Sequence, residues 1–319
     1  SAEDWFGKAL QKEDIKKFIT EHFTVSWEYW YRFQIPYLTR HRSFFGDLES
    51  WNVYGSIGLV QMRSLFEEIE NNITKKTKLI YVECPGSNTF EFQDLSKITS
   101  LAKRKKIYTL LDNTWGTPLY LKPLKIGFDM SFCSATKYFS GHSDAMGGSL
   151  AVNKKVFKQV MFFYKLSGYR MSADEAYLII RGLRTLDTRL DRHELNTKKI
   201  ASFLSKHKKI TVLYPYKKGT KDYKMWKKYY KGSSGLMCLK IKSKNKSSID
   251  RFVNSLKLFG YWYSWGGFES LALHQEIRKQ GKRKYLNLLK DEHIVRLHIG
   301  LEDPKDLIND LKRSLRFIK

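Results

Sequence analysis

The amino-acid sequence predicts an α/β protein with a mostly parallel sheet, followed by a smaller C-terminal α+β unit. Between residues 78 and 152, short β-rich runs alternate with a helix-period segment, and strand–helix–strand order builds a parallel sheet covered by helices. Beyond residue 186, amphipathic helices and isolated strands follow in a different rhythm, which marks the second unit. At 319 residues, with 42% hydrophobic and 15% aromatic side chains, the chain can bury a sizeable core, and disorder is excluded as its overall description. The expected division is an aromatic segment over 1–55, a large sheet domain over 56–185 and a small domain over 186–319.

The first strand is Lys78-Leu79-Ile80-Tyr81-Val82-Glu83, an apolar β-rich run ended by Pro85-Gly86-Ser87. From Asp94 to Lys105, Leu95, Ile98, Leu101 and Ala102 recur at helical spacing. Strands follow over Tyr108–Asp112, Asp129–Cys133 and Ser149–Val152, and after Lys154 the pattern turns helical. Ser172 and Glu175 form a capping box, and Ala176, Ile179, Leu183, Leu186 and Leu190 then recur every three or four residues, so a long helix is expected to start there. A second helix with Leu195, Ile200, Phe203 and Leu204 apolar leads into a Tyr/Lys-rich stretch, Tyr214–Lys231, expected to be a solvated loop and helix. Alternating strands over Leu236–Ile241 and Ile294–Ile299 flank a helix over Ser248–Leu258. Asp303 and Pro304 read as N-cap and first residue of a closing helix with Leu307, Ile308, Leu311 and Leu315 on one face.

The N-terminal segment departs from all of this. Between Phe23 and Tyr54, eleven of thirty-two positions are aromatic, more than twice the chain's 15%, and neither a strand nor a helix period emerges. The first residue is Ser1 rather than methionine, and a shortened N-terminus is expected.

Several function classes are disfavoured. No apolar run approaches the ~18 residues of a membrane span, and the opening residues lack the pattern of a signal peptide. Cys84, Cys133 and Cys238 lie far apart with no Cys-x-x-Cys, which fits a reducing cytosol better than a disulfide framework or a zinc knuckle. The eight histidines show no metal-ligand spacing, so no metal is expected. The formal charge of +26 invites a nucleic-acid reading, but the 58 basic residues are 42 Lys and 16 Arg, scattered rather than gathered into a stripe. A specific nucleic-acid site is not expected. His142, Ser143 and Asp144 are adjacent and cannot face one another as a hydrolase relay, and no Gly-x-Ser-x-Gly elbow exists.

The residues that carry chemistry sit at strand ends. Asp112-Asn113-Thr114-Trp115 closes one strand, and Ser134-Ala135-Thr136-Lys137-Tyr138 closes the next, at the carboxyl edge where open α/β sheets place ligands. A lysine amine and a carboxylate at neighbouring strand ends are what a pyridoxal phosphate site needs: one forms the Schiff base, the other holds the pyridine nitrogen protonated. On spacing alone, a lysine after a strand is equally an ordinary surface residue.

The surrounding motifs decide between these. In order along the chain run the two segments above, then Gly141-His142-Ser143-Asp144, Arg181-Gly182-Leu183-Arg184-Thr185-Leu186, Tyr263-Ser264-Trp265-Gly266-Gly267-Phe268-Glu269-Ser270 and Val295-Arg296-Leu297-His298-Ile299-Gly300-Leu301-Glu302-Asp303. Together they resemble the cysteine/methionine-metabolism family of pyridoxal-phosphate enzymes, and within it the bacterial cystathionine β-lyases. The resemblance runs from about Ser56 to the C-terminus.

That resemblance implies an aspartate-aminotransferase-like fold (fold type I), assembly as a homo-oligomer, dimer or tetramer, and a small amino-acid substrate. It makes residues 56–185 part of a cofactor-binding domain. It implies that Lys137 is the catalytic, cofactor-binding lysine, that Asp112 partners the pyridine nitrogen, and that Ser134 and Thr136 offer hydroxyls to the cofactor phosphate. Arg296 would clamp the substrate carboxylate with Ser264 nearby, and Trp265 stands where the family's γ-acting members carry a smaller aliphatic residue. The implied reaction is α,β-elimination of L-cystathionine to homocysteine, pyruvate and ammonia. The residues agree independently: strand alternation sets Arg296 and His298 opposite the apolar Val295, Leu297 and Ile299, and an arginine can meet a carboxylate with two parallel N–H bonds.

The first fifty-five residues hold no counterpart of the family's Gly-rich phosphate turn, and Tyr31-Arg32 or Tyr37 imitate at most one element of its cofactor contacts. Weakened cofactor binding is therefore expected. Two rival readings stand beside the lyase: a catalytically impaired remnant that keeps the fold, and a basic nucleic-acid-binding protein using the Tyr and Trp of Tyr214–Lys231.

Overall fold

The structure is a computed structural model that describes residues 65–318 except 87–89, 169, 216–217 and 276–290. The aromatic N-terminal segment lies outside the described residues.

After a short helix α1 (Leu65–Asn72), strands β1 (Leu79–Glu83), β2 (Tyr108–Asp112), β3 (Met130–Ser134) and β4 (Gly148–Val152) form one sheet in that order. β1 to β3 pair parallel, and β4 runs back antiparallel along the edge, so the sheet is mostly parallel as predicted. The crossover helix α2 (Leu95–Lys105) starts where the Asp94 side chain accepts the Lys97 N–H, and it stops at Lys106 in the left-handed region, φ 56°. Its buried face includes Leu95, Ile98, Leu101 and Ala102, the positions that the helical spacing singled out. Two short helices, α3 (Thr117–Tyr120) and α4 (Pro123–Ile126), each with proline in the first turn, bring the chain to β3.

Helix α5 (Lys154–Ser167) leaves the sheet edge, capped by Asn153. The capping box at Ser172 and Glu175 starts the next helix as predicted, but that helix does not run on. It ends as α6 (Ala173–Leu183), and α7 (Leu186–Leu204) is a separate helix. Arg189 explains the break. Its guanidinium donates to the carbonyls of Gly182 at 2.6 Å and Tyr138 at 2.9 Å, and its Nε to Thr185 Oγ1 at 3.0 Å, so the end of α6 is satisfied from outside. Sequence periodicity sees one continuous stripe and cannot see that cap.

The second sheet has the order β5-β6-β8-β7, entirely antiparallel: β5 (Ile210–Leu213), β6 (Leu236–Lys242), β7 (Leu271–Gln275) and β8 (Glu292–His298). Of these, β5 and β7 have no sequence-based expectation. Leu271-Ala272-Leu273 is made of helix formers, and only its pairing with β8 makes it a strand. Nor does β6 alternate: Leu236 to Leu239 are all buried, because both faces of this sheet are covered. Helix α9 (Lys246–Asn254) ends before the expected Leu258, where Asp310 Oδ2 accepts the backbone N–H groups of Lys257 and Leu258 at 2.9 and 2.8 Å. Asp303 and Pro304 begin α10 (Pro304–Ser314), with Leu307 and Leu311 fully buried.

The helix expected within Tyr214–Lys231 is α8 (Lys221–Tyr229), begun by Thr220, whose hydroxyl accepts the Tyr223 N–H at 3.1 Å. The segment is not solvated throughout, which corrects the rest of that expectation. Tyr214, Trp226 and Tyr230 are buried. Trp226 donates to the Gly232 carbonyl at 2.8 Å, and Tyr230 packs edge-on against Phe92 and Trp115 with ring centres 5.5 and 5.6 Å apart. The charged lysines hide this pattern because their stems let a helix be amphipathic at low mean hydropathy. Trp115 in turn donates to the Leu236 carbonyl at 3.1 Å, which ties the end of β2 to the second sheet. One contiguous core runs between the two sheets, and the strand ends carrying the predicted site meet along it.

Candidate active site

β2 and β3 are parallel neighbours, so Asp112 and Ser134 end at the same sheet edge. Thr114 joins the two ends: its hydroxyl accepts the Ser134 N–H at 2.8 Å, while its own N–H donates to Asp112 Oδ1 at 2.9 Å. Tyr81, on β1, donates its hydroxyl to Asp112 Oδ2 at 3.1 Å. Asp112 is only 8% exposed, and burial raises its carboxyl above the usual range, while the Thr114 and Tyr81 hydrogen bonds and the Lys137 charge pull it back.

Beyond Ser134 the chain makes a single wide turn, Ala135–Phe139, in which the Ser140 N–H reaches the Ala135 carbonyl at 2.9 Å. Lys137 sits within it in a non-helical conformation, φ −89° and ψ −121°. Its Nζ donates to Ser264 Oγ at 2.8 Å and lies 5.5 Å from the centre of the Trp265 ring. Burial, with the Arg296 charge adding to it and Asp112 opposing, brings the Lys137 amine down to about 8.

The glycine pair Gly266–Gly267 lets the backbone come close to a neighbour. What it approaches is Lys137 itself. Gly266 has φ +90°, and a Cβ there would stand 2.9 Å from both the carbonyl carbon and the Cβ of Lys137. The far side of this turn is held by His298, whose Nε2 lies 3.2 Å from the Gly266 nitrogen and 3.1 Å from the Gly267 carbonyl.

Arg296 on β8 is 9% exposed and donates to the Tyr263 carbonyl, so the guanidinium and the Tyr263-Ser264-Trp265 segment are joined. Thus Asp112, Lys137, Ser264, Trp265 and Arg296, spread over 185 positions, come together. The Thr136 hydroxyl accepts the Gly147 N–H at 2.9 Å and lies 3.3 Å from the Gly147 carbonyl. His142 and Ser143 are engaged apart from each other, His142 Nδ1 2.6 Å from the Ser140 carbonyl and Ser143 donating to Glu269 Oε1 at 2.9 Å, so no hydrolase relay forms between them.

Sequence reasoning missed Tyr81, Thr114 and the ring cluster of Tyr138, His193 and His298 behind Lys137. Thr114 lies inside a quoted motif and was legible as a strand-end hydroxyl. Tyr81 had no signal, because its partner is 31 residues away and on another strand. Among the described residues no group of His, Cys, Asp and Glu suits a metal ion. Nor is any helix among them long and apolar enough to cross a membrane.

The donor set fits pyridoxal phosphate at its ring and aldehyde: a buried carboxylate held by two donors, and a partly desolvated lysine amine poised on a hydroxyl. Comparison with known proteins points the same way. A profile of the family described as Cys/Met metabolism PLP-dependent enzyme matches residues 54–316, in line with the resemblance from about Ser56 onward. The chain is 39% identical over 251 residues to the L-alanine/L-glutamate racemase of Wolbachia pipientis, covering 78% of this chain and 62% of that protein. It is 37% identical over 254 residues to cystathionine beta-lyase MetC of Escherichia coli, covering 76% and 63%. The crystal structure of cystathionine gamma synthase from Xanthomonas oryzae, in complex with aminoacrylate and cysteine, superposes with a TM-score of 0.71 at 29% identity over 82% of this chain and 67% of that one. The chain thus spans just under two thirds of the length of the curated relatives it matches.

Proposed function

The chain belongs to the Cys/Met metabolism PLP-dependent enzymes, and from that membership we propose that it is a carbon–sulfur lyase carrying out α,β-elimination of L-cystathionine to homocysteine, pyruvate and ammonia. The observation that carries the reading is the placing of the Lys137 amine on Ser264 Oγ beneath the Trp265 ring, with Arg296 and Asp112 close enough to act on its charge. In the proposed site Lys137 would be the attachment point of the cofactor, Asp112 the partner of its ring nitrogen, and Ser134 and Thr136 the hydroxyl donors to its phosphate.

Bound pyridoxal phosphate supplies the electron sink for charge that develops at the substrate α-carbon. Asp112, whose ionised form is favoured by Thr114 and Tyr81 against its burial, would hold the proton on the cofactor ring nitrogen. Lys137 Nζ takes the α-proton, a task suited to an amine brought down to about 8, since a useful fraction is neutral near pH 7 to 8. Arg296 binds the α-carboxylate, and so orients the α-hydrogen towards Nζ. Trp265 narrows the pocket where the side chain of the substrate extends, which favours β- over γ-chemistry. Assembly as a homo-oligomer, dimer or tetramer, belongs to the same reading.

A second reading is supported by the 39% identity to an amino-acid racemase, since the same lysine moving an α-proton without loss of a leaving group interconverts enantiomers. One experiment separates these. The purified chain, supplied with pyridoxal phosphate, is given L-cystathionine and, separately, L-alanine. Pyruvate with homocysteine supports the lyase. Mainly 2-oxobutyrate assigns γ-elimination, D-alanine without pyruvate assigns racemisation, and cofactor uptake with no product at all marks an impaired member.

A further inference from the structure

Behind Lys137 lies a buried pair of imidazoles. His193 on α7 and His298 on β8 are 0% and 1% exposed, with ring centres 5.1 Å apart, and the Tyr138 ring lies 5.4 and 5.9 Å from them. Tyr138 is fixed in turn, its hydroxyl accepting the Gly235 N–H at 2.9 Å. His193 Nδ1 is 2.7 Å from the Ile299 carbonyl, which can only accept, so Nδ1 carries the proton and Nε2 is a bare lone pair. Neither His193 Nε2 nor His298 Nδ1 has a hydrogen-bond partner in the protein, and both atoms are buried. His298 Nε2 is 3.1 Å from the Gly267 carbonyl, which can only accept, so Nε2 carries the proton and donates to Gly267, with the Gly266 nitrogen 3.2 Å away.

We propose that His298, through its hydrogen bond to the Gly267 carbonyl, is a positioning residue that seats the Gly266–Gly267 turn on Lys137 and thereby keeps the lysine amine against Ser264 and Trp265. The turn has no slack to do this unaided, since Gly266 is packed on the Lys137 backbone and the two residues before it carry the hydroxyl and the ring. Both imidazoles stay neutral: burial, each other's proximity and the nearby Arg296 and Lys137 charges all disfavour an imidazolium at His298. The proposal rests on Lys137 as the reactive amine of the site, but it can be tested without cofactor or substrate.

The test is trace acetylation of the full chain with acetic anhydride across pH, followed by mass spectrometry of the Lys137 peptide. Hydrogen–deuterium exchange of the segment 260–270 is measured alongside. In the parent the midpoint is expected at about 8, where burial, Arg296 and Asp112 set it. His298→Leu keeps an apolar core but offers no hydrogen-bonding group. Its midpoint should rise by about one pH unit toward the ordinary lysine value as water reaches the amine, and exchange across 260–270 should quicken about tenfold. His298→Gln reaches as far as Nε2 and should restore both. An unchanged midpoint and unchanged exchange in a folded His298→Leu chain would overturn the proposal, as would a Gln variant that behaves like Leu. If the Leu variant does not fold, His298→Asn, polar but too short to reach Gly267, takes its place under the same criteria. Failure to form pyruvate would count against the lyase reading alone and leave these readouts untouched.

Discussion

The Nζ of Lys137 donates to the hydroxyl of Ser264 at 2.8 Å, although 127 residues separate them and they belong to segments on different sheets. The hydrogen bond aims the amine, and it exists because the Gly266–Gly267 turn lies directly against the lysine backbone. Perturbing this contact and its surroundings gives four expected outcomes.

Covalent attachment should be confined to Lys137. After incubation with pyridoxal phosphate and reduction with borohydride, the label is expected on the peptide carrying Lys137 and should be lost in Lys137→Ala. Label on a different lysine would show that the site is wrongly assigned.

Cofactor uptake should depend on pH with a defined sign. Only the neutral amine attacks an aldehyde, and the Lys137 amine is brought down to about 8, so the uptake rate should rise about tenfold per pH unit below 8 and level off above it. A stopped-flow trace of absorbance against pH checks this; a limb centred near the ordinary lysine value, about 10.4, would mean that the amine is not desolvated.

Tyr81→Phe should weaken the cofactor rather than the fold. It removes one of two donors that favour the ionised form of the buried Asp112 carboxyl, and hydrogen bonds to charged groups contribute about 1.5 to 3 kcal/mol, or roughly 10- to 100-fold in affinity. Titration with pyridoxal phosphate should show that loss with melting little changed. Equal affinities would remove Tyr81 from the site.

Acid should destabilise the chain through His193. Burial depresses this imidazole from 6.5 to about 4, so the unfolded chain binds the extra proton between those values. Stability should therefore hold above pH 6.5 and fall as pH drops through 6.5 towards 4, by on the order of 3 kcal/mol at full effect. Denaturant melts at pH 7 and pH 4.5 should show a smaller difference in His193→Gln than in the parent; the same difference in both would place the acid sensitivity elsewhere.

The local and the chemical parts of this protein were legible in its residues. The sequence contained the strand runs ending at Glu83 and Asp112, the buried face of α2, the caps at Ser172 and Asp303, and the motif residues from Asp112 to Arg296, because each is a short-range pattern of polarity or residue type. The rest depends on partners distant along the chain. Leu271–Gln275 became a strand through pairing with β8, and α6 stopped at Leu183 because Arg189 capped it from the next helix. Trp226 and Tyr230 turned inward under a lysine-rich surface, and the Thr136 hydroxyl was drawn to Gly147. Above all, Tyr81 on Asp112 and His298 under the Gly266–Gly267 turn are hydrogen bonds between different elements, and such bonds leave no periodicity in either partner's own segment.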